Sequence, residues 1–565
     1  MSSGLTRWRI RFAGKDMRQH ETVRRVRRMS RSMYDKLYRR FGETLPDSKV
    51  SAMAEALIAR DQKLWTSSLG ADCRAKLGKT RVAVVGGGCA GMMAAWWLCS
   101  TDRGIEVVVF EAGKEVGGRV WSNEAFTKGT RTIEFGAELV GANHPLWLET
   151  ARQFGIGLMS RTSESHYGIL GLAMKLRVDG KDLSEADAKQ MTKEMQAIFV
   201  KIGKDAALVK DPSQPWTQAN LQDFDTMSVD DKLRKPAPRG LALNPGKLGY
   251  RGIQMLLEND LLTPLANINY LGLLCLVKAG RFATDDDEDK DLLGFWEQTE
   301  TFRCVDGCQV LLKRMVAKLT DPTEKFNFTL LPNTRVTDIE TDSADPPKPV
   351  KLKWTSSAAV KRVDPAFDFV VLAVPPSVWE KINITPQHPK AAGAIQMGNG
   401  IKFFSNLKDR FWIREGAAPS GISSDLGMIW EGTDNQVQVG NAEVVLSVFA
   451  GGPAVAGRDE AYYKRQLARL YPGYSTSNSG RKTQLVDWGK RAFIETGYAC
   501  PRLGHMFKVA PLLQKPFGER LFLAGEHTQT DFFGFMEGAL RSGRRAATAI
   551  ISKVCPGSFP DFPNA

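Results

Sequence analysis

RVAVVGGGCAG, residues 81–91, sets a short valine-rich run directly against Gly86, Gly88 and Gly91. The apolar stretch Met92–Leu98 comes next with helical character, and Ile105–Phe110 then reads as a second strand. The spacing predicts a βαβ unit with a glycine-rich turn. In such a turn the first glycine permits the tight bend, the second lets backbone approach a diphosphate, and the third lets the helix pack closely on the strand. The helix N-terminus would offer that diphosphate unsatisfied N–H groups and a partial positive charge. Glu111 closes the second strand about 20 residues after Gly91, the interval at which a carboxylate takes the ribose hydroxyls of a dinucleotide.

Working outward, the 565-residue chain is too long for one hydrophobic core, so two domains and an appendage are expected. With 43% hydrophobic and 25% charged residues it has an ordinary globular composition, and no apolar run is long enough for a membrane helix. The net charge of +14 is concentrated early, where Arg24, Arg25, Arg27, Arg28, Arg31, Arg39 and Arg40 are interspersed with Met29, Met33, Tyr34 and Leu37. This reads as a basic, partly amphipathic helical extension that packs on its own protein or a partner subunit, or that meets something acidic. It lacks the apolar core of a secretory signal, and a cytoplasmic location is expected. The eight cysteines are scattered, which points to reduced core thiols rather than bridges. With six histidines and no CxxC, no metal site is expected.

Val50–Gly78 shows helical spacing and finishes the appendage. Residues 155–330 carry long helical patterns, among them Asp187–Val209 and Val310–Leu319, with Asp285–Asp289 as an acidic solvated loop. Strand signals return at Phe328–Leu331, Thr334–Ile339, Val350–Trp354, Phe369–Val374, Val444–Phe449 and Leu521–Ala524. The nucleotide domain is therefore expected to be discontinuous, interrupted by material that forms a second domain.

The residues just after Glu111 narrow the cofactor. Glu111-Ala-Gly-Lys-Glu-Val-Gly-Gly118-Arg119 resembles the motif of the flavin-containing amine oxidases, in which a paired glycine and an arginine approach the flavin diphosphate. Glu134-Phe-Gly136-Ala137-Glu138-Leu139-Val-Gly141 resembles the segment that runs along the isoalloxazine ring. Gly525-Glu526-His527-Thr528 and Gly534-Phe535-Met536-Glu537-Gly538-Ala539 resemble the family's C-terminal FAD motif. There Glu526 is on the ribityl or diphosphate side, and the helix starting near Met536 points at the pyrimidine end of the flavin. Thr334-Arg335-Val336 resembles the adenine-contacting strand and Leu372-Ala-Val-Pro-Pro376 the strand leaving the nucleotide fold.

The resemblance implies an α/β protein whose Rossmann-type FAD-binding domain is split along the chain, with an α+β substrate domain and the basic helical extension. The expected division is 1–78 for the extension, 79–155, 331–378 and 501–555 for the FAD-binding parts, and 156–330 and 379–500 for the substrate domain. It also implies few catalytic side chains, because the flavin accepts the hydride and the protein orients the C–H bond. Lys402, in an apolar strand before Phe403 and Phe404, aligns with the lysine that holds a water at the flavin N5 and assists reaction with oxygen. Read on its own, it is also compatible with a snorkelling edge lysine. Trp488 and Tyr498 match one wall of the aromatic cage that brackets a substrate amine, and Phe535 the other. Gly497 stands where members with covalently attached flavin carry cysteine, so FAD is expected to be non-covalent.

The expected partners are a small amine or amino-acid substrate, molecular oxygen and a second copy of the chain in a homodimer, with no metal. The leading expectation is an oxidase releasing a carbonyl product, ammonia and hydrogen peroxide. An amino-acid monooxygenase or a flavin desaturase fits the same fold. A regulatory flavoprotein using the basic arm on nucleic acid is the reading of another class, with no second nucleic-acid motif to support it.

Overall fold

The computed structural model describes residues 69–557 apart from 129–130, 163, 281–298, 342–348, 358–362, 386–393, 435, 437–442 and 453–455. The arginine-rich stretch, most of Val50–Gly78 and the acidic loop Asp285–Asp289 lie outside the described residues.

The run at Arg81–Val85 is the central strand of a five-stranded parallel sheet, with Phe369–Leu372 and Leu521–Leu523 on one side and Glu106–Phe110 and Phe328–Leu331 on the other. Side chains on a strand alternate between faces. Val82, Val84, Val107 and Val109 accordingly enter one core, and Ala83, Val85, Val108 and Phe110 enter another. The first core is covered by the helix Cys89–Thr101, against which the C-terminal helix Met536–Val554 lies. Their crossing is close at Gly543, where a Cβ would come within 2.1 Å of the Ala90 carbonyl. The second core is covered by a four-stranded sheet built from Thr334–Glu340, Val350–Ser356, Ala366–Phe367 and Asn383–Thr385.

A seven-stranded sheet forms the other half of the molecule, in the order 483–487, 401–407, 444–450, 427–431, 417–423, 173–178 and 181–182. Ile401–Leu407 is buried along its whole length between two antiparallel neighbours. Lys402 is thus on an interior strand, which removes the edge-lysine reading. Helices Glu185–Ala207, Leu248–Asp260 and Tyr270–Ala279 share a separate apolar cluster. The first starts at Ser184, whose hydroxyl accepts from the Asp187 N–H at 3.1 Å and caps the helix. Ala173–Val178 pairs with Ala417–Ser423, so the helix-rich stretch contributes strands to the same sheet as the 401–487 segment.

The cysteine expectation needs a correction. Six thiols are free and buried, but Cys73 and Cys555 form a disulfide across 482 residues. The helix Ala71–Leu77 packs on the C-terminal helix and brings the two Cα atoms to 5.5 Å, within bridging reach. Nothing in the spacing of two cysteines so far apart announces that approach. Among the described residues, no helix is long and apolar enough to cross a membrane.

Candidate active site

A cavity of about 920 Å³ runs between the nucleotide sheet and the seven-stranded sheet. Its walls include Gly86, Gly88, Glu111, Gly118, Arg119, Gly136, Ala137, Glu138, Leu139, Val336, Lys402, Trp488, Tyr498, Gly525, Glu526, Phe535, Met536 and Ala539. Sequence segments from both ends of the chain therefore converge on one space. Gly91 is absent from that wall because it works underneath, where a Cβ would stand 1.9 Å from the Gly86 carbonyl.

The nucleotide end is made of backbone. Gly86 has φ +105°, a conformation that side chains disfavour, and it turns the chain from strand to helix. A Cβ on Gly88 would meet nothing closer than 3.9 Å, so this glycine leaves a cradle open to the cavity at the start of the Cys89–Thr101 helix. The Glu111 carboxylate accepts from the N–H groups of Gly87 at 2.7 Å and Gly113 at 2.6 Å. Burial raises its pKa against those two donors, an environment that further hydroxyl donors would relieve. The geometry fits a dinucleotide with its diphosphate on the helix N-terminus and a ribose on Glu111.

The other end is made of side chains. Lys402 is 5% exposed, and its ammonium donates to the carbonyls of Glu134 and Gly136, both at 2.9 Å, and to Glu138 Oε2 at 2.7 Å. Three acceptors match its three donors, so what Lys402 offers the cavity is chiefly charge; a water there would have to share a donor. Glu138 also faces Arg303 Nη2 at 2.7 Å and accepts from Trp430 Nε1 at 3.0 Å. Burial pushes the Glu138 pKa up, but the cations of Lys402 and Arg303 outweigh it and leave the group below the usual carboxylate range. Lys402 donates to the Glu134 carbonyl rather than to its carboxyl, and burial lifts that carboxyl to about 7 in spite of hydrogen bonds from the Cys308 N–H and the Ser122 hydroxyl.

The aromatic residues are held firmly. The Tyr498 hydroxyl donates to the Asp260 carbonyl, and its ring lies 3.0 Å from where a Cβ on Gly534 would stand, next to Phe535. Phe535 meets the His144 ring edge-on at 5.3 Å. Trp488 donates to the Phe135 carbonyl at 3.2 Å and belongs to a cluster with Phe126, Phe135 and Phe404. Arg119 reaches the Glu526 carboxylate at 2.6 Å and the Gly497 carbonyl at 2.8 Å, tying the first nucleotide segment to the last.

Several participants were not anticipated. Arg303 and Trp430 come from stretches without a motif. His144 accepts from the Gly141 N–H at 2.8 Å through Nδ1, and burial pushes its pKa down to about 3, so it is neutral. Glu537 accepts from the N–H groups of Leu146 at 3.2 Å and Trp147 at 2.8 Å, at the start of the helix Pro145–Gln153. Arg161, Asp260 and Glu300 also line the cavity, with Arg161 donating to the Glu300 carbonyl at 3.1 Å. Among the described residues, no group of three or more His, Cys, Asp or Glu side chains is placed to hold a metal ion.

Comparison with known proteins agrees with this geometry. A flavin-containing amine oxidase of Danio rerio is 23% identical over 500 residues, covering 83% of this chain and 85% of its own. A probable flavin-containing monoamine oxidase A of Dictyostelium discoideum is 21% identical, covering 84% and 98%. The structure of cyclohexylamine oxidase from Brevibacterium oxydans superimposes with a TM-score of 0.66 at 18% identity, over 84% of this chain and 99% of that one, and putrescine oxidase bound to putrescine gives 0.66 at 19% with the same coverage. The family description "Flavin containing amine oxidoreductase" matches residues 89–551, most of the chain, and the protein belongs to that family of FAD-dependent oxidoreductases.

Proposed function

We propose that the protein is an oxidase of an amine or L-amino acid. It removes a hydride from the carbon bearing the amino group and passes the electrons to oxygen, giving hydrogen peroxide, ammonia and a carbonyl product. The observation that carries this reading is the single cavity joining the Gly86–Gly91 turn to Lys402, Tyr498 and Phe535.

In this reading the Gly86–Gly88 turn and the helix after it hold the diphosphate, Glu111 a ribose, and Val336 the adenine side. Gly118, Arg119, Gly525 and Glu526 line the middle of the cofactor, and Gly136, Ala137, Glu138 and Leu139 lie along its ring. Met536 and Ala539 open the 19-residue C-terminal helix, whose positive end favours negative charge at the pyrimidine edge. Bound FAD supplies the hydride acceptor and the site of oxygen reaction. Tyr498 and Phe535 present aromatic faces that orient a neutral amino group and keep water out, with Trp488 supporting the wall. Lys402 contributes buried positive charge, which favours electron transfer to oxygen. The attachment is non-covalent: Gly497 carries no thiol, and burial pushes Cys500 up to about 12.

Purified protein should be yellow and release its flavin on denaturation. Because the Arg161 guanidinium and the carboxyl groups of Asp260 and Glu300 line the substrate wall, a peroxide-release screen should span mono-amines, polyamines and amino acids. A flavin-loaded protein that yields peroxide with none of them, or that converts amino acids to amides, would replace the oxidase reading.

A further inference from the structure

Arg303 lies on the short strand Phe302–Cys304 and is 3% exposed. Its Nη2 sits 2.7 Å from Glu138 Oε1 and donates to the Glu431 carbonyl at 2.9 Å. Among the described residues, Nε and Nη1 have no hydrogen-bond partner. Taking such an ion out of water is costly, and holding Lys402 in place does not require it. The two carbonyls of Glu134 and Gly136, with Glu138, already satisfy that ammonium.

The neighbouring carboxyl groups are engaged elsewhere. Glu431 is paired with Arg410 at 2.7 Å. Asp434 accepts from the N–H and hydroxyl of Thr162 at 2.7 and 2.8 Å, and burial raises its pKa. Burial lifts Glu134 to about 7. The ion-paired triad of Lys402, Glu138 and Arg303 itself holds two cations and one anion.

We propose that Arg303 is a positioning residue for the flavin chemistry, acting through Glu138: its guanidinium offsets that carboxylate and leaves one net positive charge beside the ring, which makes the flavin easier to reduce. A lysine–glutamate pair alone would be neutral and would present the ring with no net charge. The inference rests on the ring lying along Gly136–Leu139.

The test is the flavin reduction potential of the holoprotein at pH 6, read against redox dyes. Arg303→Gln should keep its flavin and lower the equilibrium ratio of reduced to oxidised flavin about tenfold, roughly 30 mV for a two-electron couple. Arg303→Lys should recover most of that loss. The double variant Glu138→Gln/Arg303→Gln, which restores one net charge, should return to within about threefold of the wild type, whereas a purely structural role would lower thermal stability and leave the potential alone. An unshifted potential in Arg303→Gln, or a double variant that stays with the single one, overturns the proposal. Lys402→Met separates the two readings. If it shifts the potential while Arg303→Gln does not, only the role of Arg303 fails; if neither shifts it in flavin-loaded protein, the ring is not on this wall and its placement fails too.

Discussion

The two ends of the cavity are built by different means. At the nucleotide end the ligand-facing groups are backbone N–H donors and missing Cβ atoms, set by local turns within residues 86–118. At the reactive end they are buried side chains such as Glu138 and Lys402, which meet across 264 residues and are backed by Arg303 from a third segment. The first end leaves no room for a Cβ at Gly86 or Gly91 and uses a single carboxylate, Glu111. The second has room for isosteric change and depends on charge.

That contrast can be broken by substitution. The largest effect is expected from Gly91→Val, because a Cβ there would lie 1.9 Å from the Gly86 carbonyl. The protein should emerge without flavin or fail to fold, and a yellow, soluble Gly91→Val variant would show that the helix does not need the close approach. Lys402→Met, at the other end, should retain flavin yet be reoxidised by oxygen about 10²-fold more slowly in stopped-flow measurements, by analogy with loss of a buried electrostatic contact. Unchanged reoxidation would remove Lys402 from the oxygen step. Glu111→Gln keeps an acceptor but loses a charge, and FAD affinity measured by titration should fall about tenfold.

The smallest effect concerns pH. Glu134 has its pKa raised in the folded state from 4.5 to about 7, so its contribution to stability is present below 4.5 and is lost as pH rises through 7. His144 is lowered from 6.5 to about 3, so its contribution is present above 6.5 and is lost as pH falls toward 3. Thermal melts across pH should show both limbs. Glu134→Gln should flatten the alkaline one, and His144→Gln the acid one. Melts of either variant that keep the wild-type limb would assign it to other groups.

The same contrast explains what the chain discloses before folding. Gly86, Gly88, Gly91 and Glu111 are legible because each answers a local backbone constraint at fixed spacing, and Arg81–Val85 and Glu106–Phe110 form as parallel neighbours. Lys402 is conspicuous as a cation in an apolar strand, although its neighbours alone do not say whether the strand is interior. Arg303 is not legible: Phe302–Cys304 is three residues long, and its partner Glu138 lies in another segment. Glu537 has the same difficulty, since the two N–H groups it caps are 390 and 391 residues away. The reading of 155–330 as helix-rich with few strand runs did not single out Ala173–Val178, a half-buried strand that pairs with the distant Ala417–Ser423.

The Cys73–Cys555 bridge closes nearly the whole chain into a covalent ring. Residues 1–68 join the described structure at Leu69, a few positions before that clasp. The clasp itself sits at the far tip of the 19-residue C-terminal helix, about 28 Å along the axis from Met536. The described structure thus begins beside the end of that helix remote from Met536.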